Sequence, residues 1–119
     1  MFPGDSRNLT LTGFMGTGKT AVGQEIARRL GREFLDMDAY IESRQGMSVA
    51  EIFEQRGEAH FRRLEAALCR ELATRQALVI ATGGGALIPD DNYEILSASG
   101  PVICLSAGQN QVIIPLFNR

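Results

Sequence analysis

The sequence predicts an α/β domain of three layers, with helices on both faces of a central parallel sheet. Three observations carry that prediction. Strand-like and helix-like segments alternate from about residue 9 to residue 105. Ala77-Leu78-Val79-Ile80-Ala81 and Pro101-Val102-Ile103-Cys104-Leu105 are unbroken apolar runs, the pattern of strands covered on both faces. Finally, Gly13-Phe14-Met15-Gly16-Thr17-Gly18-Lys19-Thr20 has the spacing G-x-x-x-x-G-K-[ST] and lies between an apolar run and a helical pattern.

The first strand is read over Leu9 to Thr12. After the glycine-rich loop a helix runs to Leu30, with Val22, Ile26, Ala27 and Leu30 on one face, and Gly31 stops it. Glu33 to Asp36 reads as a second strand, and Asp38 to Arg44 as a short helix capped by Asp38 or its neighbour and broken by Gly46. Ser48, with Glu51 three residues on, forms a capping box that opens a helix carrying Val49, Ile52 and Phe53 as far as Gly57. A longer helix follows over about 58–75, its apolar stripe made by Phe61, Leu64, Leu68 and Leu72. The apolar strand 77–81 ends in Thr82-Gly83-Gly84-Gly85, a short helix covers 92–99, and a further buried strand covers 101–105. Residues 1–7 read as a loose leader, and there are no internal repeats, linkers or low-complexity segments.

Composition bounds the function. A chain of 119 residues makes one domain, and a formal charge of -2 offers no positive field for a polyphosphate backbone, so nucleic acid is excluded as an expected partner. Two cysteines, Cys69 in a helical pattern and Cys104 in a strand-like run, form no disulfide framework and read as small core residues of a reducing compartment. Neither a targeting pattern nor a bilayer-spanning apolar run is present. The expectation is a cytoplasmic, monomeric protein acting on a small molecule, with no membrane partner.

The glycine-rich loop implies binding of a nucleoside triphosphate. Its glycines let backbone N–H groups turn inward around phosphate oxygens, Lys19 reaches the β and γ phosphates, and the Thr20 hydroxyl ligates Mg²⁺. The helix that starts near Lys19 adds the positive end of its dipole. Asp36 and Asp38 are two apart at the end of the second strand, so on strand geometry both carboxylates leave the sheet on one side, where a metal and an acceptor would lie. The alternative is that Asp38 caps the next helix and Asp36 faces solvent. Arg62 and Arg63 fit either a carboxylate or phosphate grip or a solvated helix face. Gly83 to Gly85 mark either a tight turn or a close approach of a ligand to the main chain. His60, the single histidine, reads as a boundary residue, because no triad or metal-ligand spacing accompanies it.

Taken in order, L-x-G-F-M-G-T-G-K-T, L-D-M-D, M-S-V-A-E-I-F-E-Q-R-G-E, F-R-R-L-E and A-T-G-G-G-A closely resemble the shikimate kinase family over residues 8 to 105. That resemblance implies a nucleoside-monophosphate-kinase-like fold, ATP with Mg²⁺, and phosphorylation of the 3-hydroxyl of shikimate in aromatic amino-acid biosynthesis. Residue by residue it implies a nucleotide site at Gly16, Thr17, Gly18, Lys19, Thr20 and Ala21, with Lys19 also catalytic. Thr20 and Asp36 become the Mg²⁺ residues, Asp36 acting through water. Asp38 becomes the acid that orients the attacking hydroxyl, Arg62 the grip on the substrate carboxylate, and Gly83, Gly84 and Gly85 the loop against the ring.

The family's parallel strand order is 2-3-1-4-5. Here the resemblance stops after Leu105, and 106–119 carry no recognisable lid arginine, although Pro115-Leu116 echoes a lid motif with Ile114 in the arginine's place. The expectation is therefore a single domain over 1–119 with strand order 2-3-1-4, lacking the fifth strand, the lid and the last helix. Two other functions stay open at this point: a non-catalytic nucleotide-binding module, and a kinase for another small hydroxylated acid.

Overall fold

The computed structural model describes residues 5–13, 18–83, 90–106 and 111–113. Its elements follow in the order β1 (Leu9–Thr12), α1 (Lys19–Leu30), β2 (Glu33–Asp36), α2 (Met37–Gln45), α3 (Val49–Arg56), α4 (Glu58–Ala73), β3 (Leu78–Ala81), α5 (Asp90–Ser99), β4 (Val102–Ser106) and β5 (Gln111–Ile113). The sheet order is β2-β3-β1-β4-β5. Its first four strands are parallel, in the expected order.

Alternation along each strand separates two cores. On one face Leu9, Leu11 and Val79, with Phe34 and Ile103 beside them, pack against Val22, Ile26 and Ala27 of α1. On the other, Leu35, Leu78, Ile80 and Val102 meet Met37 and Ile41 of α2, Ile52 of α3, Phe61, Leu68, Cys69 and Leu72 of α4, and Leu96 of α5. Burial pushes the Cys69 thiol up to about 12, so it is an inert core residue. Cys104, by contrast, is only half-buried.

The helix ends follow local chemistry. The last turn of α1 closes on Gly31 at φ 66°, whose N–H reaches the carbonyls of Ala27 and Arg28 while Arg32 N–H also bonds Ala27. The predicted box at α3 forms in both directions, Glu51 N–H donating to Ser48 Oγ and Ser48 N–H to the Glu51 carboxylate. At α2 the prediction is corrected. The cap is Asp36, whose carboxylate accepts from Ala39 N–H at 3.1 Å, and Asp38 lies inside the first turn.

Two further expectations change. Residues 5–7 are tied down: Ser6 carbonyl accepts from Ala77 N–H, and the Arg32 guanidinium donates to the carbonyls of Asp5 and Arg7. Beyond β4, a short strand that the sequence reading left out pairs antiparallel through Leu105↔Val112. Consecutive β-branched residues at Val112 and Ile113 favour it, but three residues are too few to announce a strand by pattern.

Candidate active site

The parallel strands end together. Asp36 at the end of β2 is in register with Ala81 of β3, which is also opposite Leu11 of β1. The glycine-rich loop leaves β1 at the centre of the sheet, and α1 begins at Lys19 behind Gly18. Helix α1 has neither a side-chain cap nor an acidic residue in its first turn, unlike α2 and α3, which have both. The leading N–H groups of a helix have no intrahelical partner, and the helix dipole favours an anion there.

Lys19 is buried, at 8% exposure, and donates to the carbonyl of Gly13. Burial pulls its ammonium below the ordinary lysine value, and the charges of Asp38 and then Asp36 pull it back up. Both carboxylates therefore act on the one lysine. The Thr20 hydroxyl donates to Asp36 Oδ2 at 3.3 Å, so Asp36 caps α2 with one oxygen and meets Thr20 with the other. A hydroxyl and a carboxylate side by side form a hard oxygen donor set suited to Mg²⁺, which keeps most of its waters and takes one or two protein oxygens. No cage of three or more acidic, histidine or cysteine ligands exists among the described residues.

Asp38 reaches the same place by a route that strand parity did not foresee. It projects from the first turn of α2, half-buried, toward the end of β3. A β-carbon at Gly83 would stand 2.5 Å from its Oδ1. Lys19, Thr20, Asp36, Asp38 and Gly83 are thus gathered at one sheet edge, joined by Gly18 and the exposed Ala21 at the start of α1. Gly16, Thr17, Gly84 and Gly85 lie outside the described residues.

Arg62 stands apart in its partners. It lies near the start of α4, donating to Glu65 at 3.0 Å, pairing with Glu58 at 3.5 Å and resting beside the Phe61 ring. The Glu65 carboxylate holds its guanidinium above the ordinary value, so it is a firmly cationic group. Arg63 is exposed and follows the solvated-face alternative, and His60 is half-buried on the same helix.

One pair escaped the sequence reading. Thr82 Oγ1 donates to Thr12 Oγ1 at 3.1 Å, and Thr82 N–H bonds the Leu11 carbonyl, so β1 and β3 stay joined where the loops depart. The available signal was a threonine closing each of two apolar runs.

Residues 15–114 match the family model described as shikimate kinase, nine residues further than the motifs alone reached. The chain belongs to the shikimate kinase family. It is 49% identical over 111 residues to a shikimate kinase of Geobacter sulfurreducens, covering 93% of this chain and 61% of that protein. With one of Pelotomaculum thermopropionicum it shares 50% over 113 residues, covering 95% of this chain and 66% of the relative. The chain thus spans about three-fifths of the length of the curated shikimate kinases it matches. Among solved structures, shikimate kinase from Acinetobacter baumannii in complex with shikimate superimposes with a TM-score of 0.80 at 48% identity, over 85% of this chain and 56% of that one. A gluconokinase from Sinorhizobium meliloti, at 22% identity and a TM-score of 0.54, shares the fold alone.

Proposed function

We propose that this chain carries the donor site and much of the acceptor site of an enzyme that transfers a phosphoryl group from ATP to the 3-hydroxyl of shikimate, a step of aromatic amino-acid biosynthesis. The observation that carries the reading is the meeting of Lys19, Thr20 and Asp36 with Asp38 at one sheet edge, in a chain whose relatives are shikimate kinases, one of them solved with shikimate.

Bound MgATP supplies the transferable phosphoryl group. Lys19 exchanges the Gly13 carbonyl for phosphate oxygens and neutralises charge on the transferring group, helped by the positive end of the α1 dipole. Thr20 and Asp36 would hold the Mg²⁺, which would neutralise charge on the phosphates. Gly16, Thr17, Gly18 and Ala21 are assigned to the phosphate site, where main-chain N–H groups would donate to phosphate oxygens. Asp38 accepts a hydrogen bond from the acceptor hydroxyl, fixes its direction, and takes its proton late. A loose transition state demands little deprotonation beforehand, so positioning matters more than basicity. Arg62 trades its acidic neighbours on α4 for the bidentate carboxylate of the acceptor. Gly83, Gly84 and Gly85 are assigned to the loop whose main chain would face the ring.

An acceptor panel tests the reading. ADP release from MgATP is measured with shikimate, quinate, gluconate and no acceptor, in the natural full-length form of the protein. Release that rises with shikimate and falls about a thousandfold in Lys19→Ala is expected. Release that is equal with every acceptor, or that prefers gluconate, would remove shikimate from the assignment.

A further inference from the structure

Gly18 and Gly31 are glycines because the backbone there has positive φ, and a β-carbon on either would meet nothing within 4 Å. Gly83 is the reverse case. Its φ lies outside the left-handed region, so its backbone accepts any L residue. What forbids a side chain is Asp38, since a β-carbon would stand 2.5 Å from Oδ1, 3.1 Å from Cγ and 3.2 Å from Oδ2. The carboxylate of Asp38 occupies the space where a side chain at 83 would begin. The sheet register explains the encounter: Asp36 is opposite Ala81, so the first turn of α2 and the Thr82-Gly83 segment leave the sheet side by side.

We infer that Gly83 is a positioning residue whose missing side chain sets where the Asp38 carboxylate sits, a role distinct from main-chain contact with the substrate ring and one that rests on the reading of Asp38 as the acceptor-orienting acid. Favourable heavy-atom contacts begin at about 3.5 Å, so any side chain at 83 displaces the carboxylate by roughly 1 Å. The displaced group is the end of a side chain, and it yields by rotation while the backbone of the fold stays in place. A misplacement of about that size costs on the order of a hundredfold in rate.

The test is Gly83→Ala in the natural full-length protein, read by shikimate-dependent turnover, by nucleotide affinity and by the carboxyl ¹³C resonance of Asp38 without substrate. Expected are a fall in kcat of about a hundredfold, nucleotide affinity within about twofold, and a moved Asp38 resonance while that of Asp36 holds still. Wild-type kcat, or an unmoved Asp38 resonance, overturns the inference. Because the resonance needs no substrate, a protein that fails to phosphorylate shikimate defeats the proposed function while the resonance still decides the positioning role. Should Gly83→Ala lower the melting midpoint, the steric account requires Asp38→Ala to restore it. A double variant as unstable as Gly83→Ala overturns the account.

Discussion

Thr10 is fully buried in the central strand, and its hydroxyl finds no hydrogen-bond partner among the described residues. Leaving a buried hydroxyl unpaired costs roughly 1–3 kcal/mol, and valine keeps the branched shape without it. Thr10→Val is therefore expected to raise stability by about 1 kcal/mol in urea denaturation, and a loss of that size would show that the hydroxyl has a partner. The two acidic residues of the site show how far single residues could be read. Asp36 and Asp38 were both legible as site residues. Strand alternation predicts a shared direction for them, yet the strand ends at Asp36 and Asp38 already belongs to a helix. Convergence on Lys19 arises from the turn between them, and a period of two residues carries no information across that change. Arg62 was legible as an arginine able to grip a carboxylate, but its pairing with Glu58 and Glu65 depends on rotamers that a sequence does not state.

At the scale of elements, α1 lies on the sheet through its smallest residue. A β-carbon at Gly23 would stand 2.3 Å from Phe34 Cε1 and 3.3 Å from Leu11 Cδ1, so the helix axis approaches β1 and β2 more closely than an alanine allows. Helix propensity alone favours Gly23→Ala by about 1 kcal/mol, whereas overpacking costs roughly 1–3 kcal/mol. The ring of Phe34 is held between sheet and helix, so overpacking wins, and the variant is expected to lose about 1 kcal/mol in denaturant titration. A gain of similar size would mean that the contact relaxes freely. The same approach bears on the proposed phosphate site, since the seat of α1 on the sheet fixes where Lys19, its first residue, emerges. The long helices and the apolar strands were legible because their periods are repeated several times. β5, three residues long and antiparallel, was not, because its partner strand supplies the order that its own pattern lacks. The tie of residues 5–7 to Arg32 and Ala77 was equally hidden, since it runs through backbone carbonyls that any sequence provides.

For the whole molecule, the order β2-β3-β1-β4 places the candidate site. It sets β3 between the strand that carries Asp36 and the strand that launches the glycine-rich loop, so the proposed donor and acceptor groups, distant in sequence, lie at the same ends of the parallel strands. A lone phosphate loop would have given a nucleotide site without an acceptor. The ordered set of motifs points to an acceptor half, and the fold brings α2 and the end of β3, where its proposed residues Asp38 and Gly83 lie, out near Lys19. The measurement that tests this two-sided crevice most directly is ³¹P–¹H correlation NMR of the product formed from MgATP and shikimate, run on the natural full-length protein and its Lys19→Ala and Asp38→Asn variants. One new phosphate ester is expected, coupled to the proton on C3 of shikimate and lost in both variants. An ester on another carbon, or the same ester formed at an unchanged rate by both variants, would contradict it.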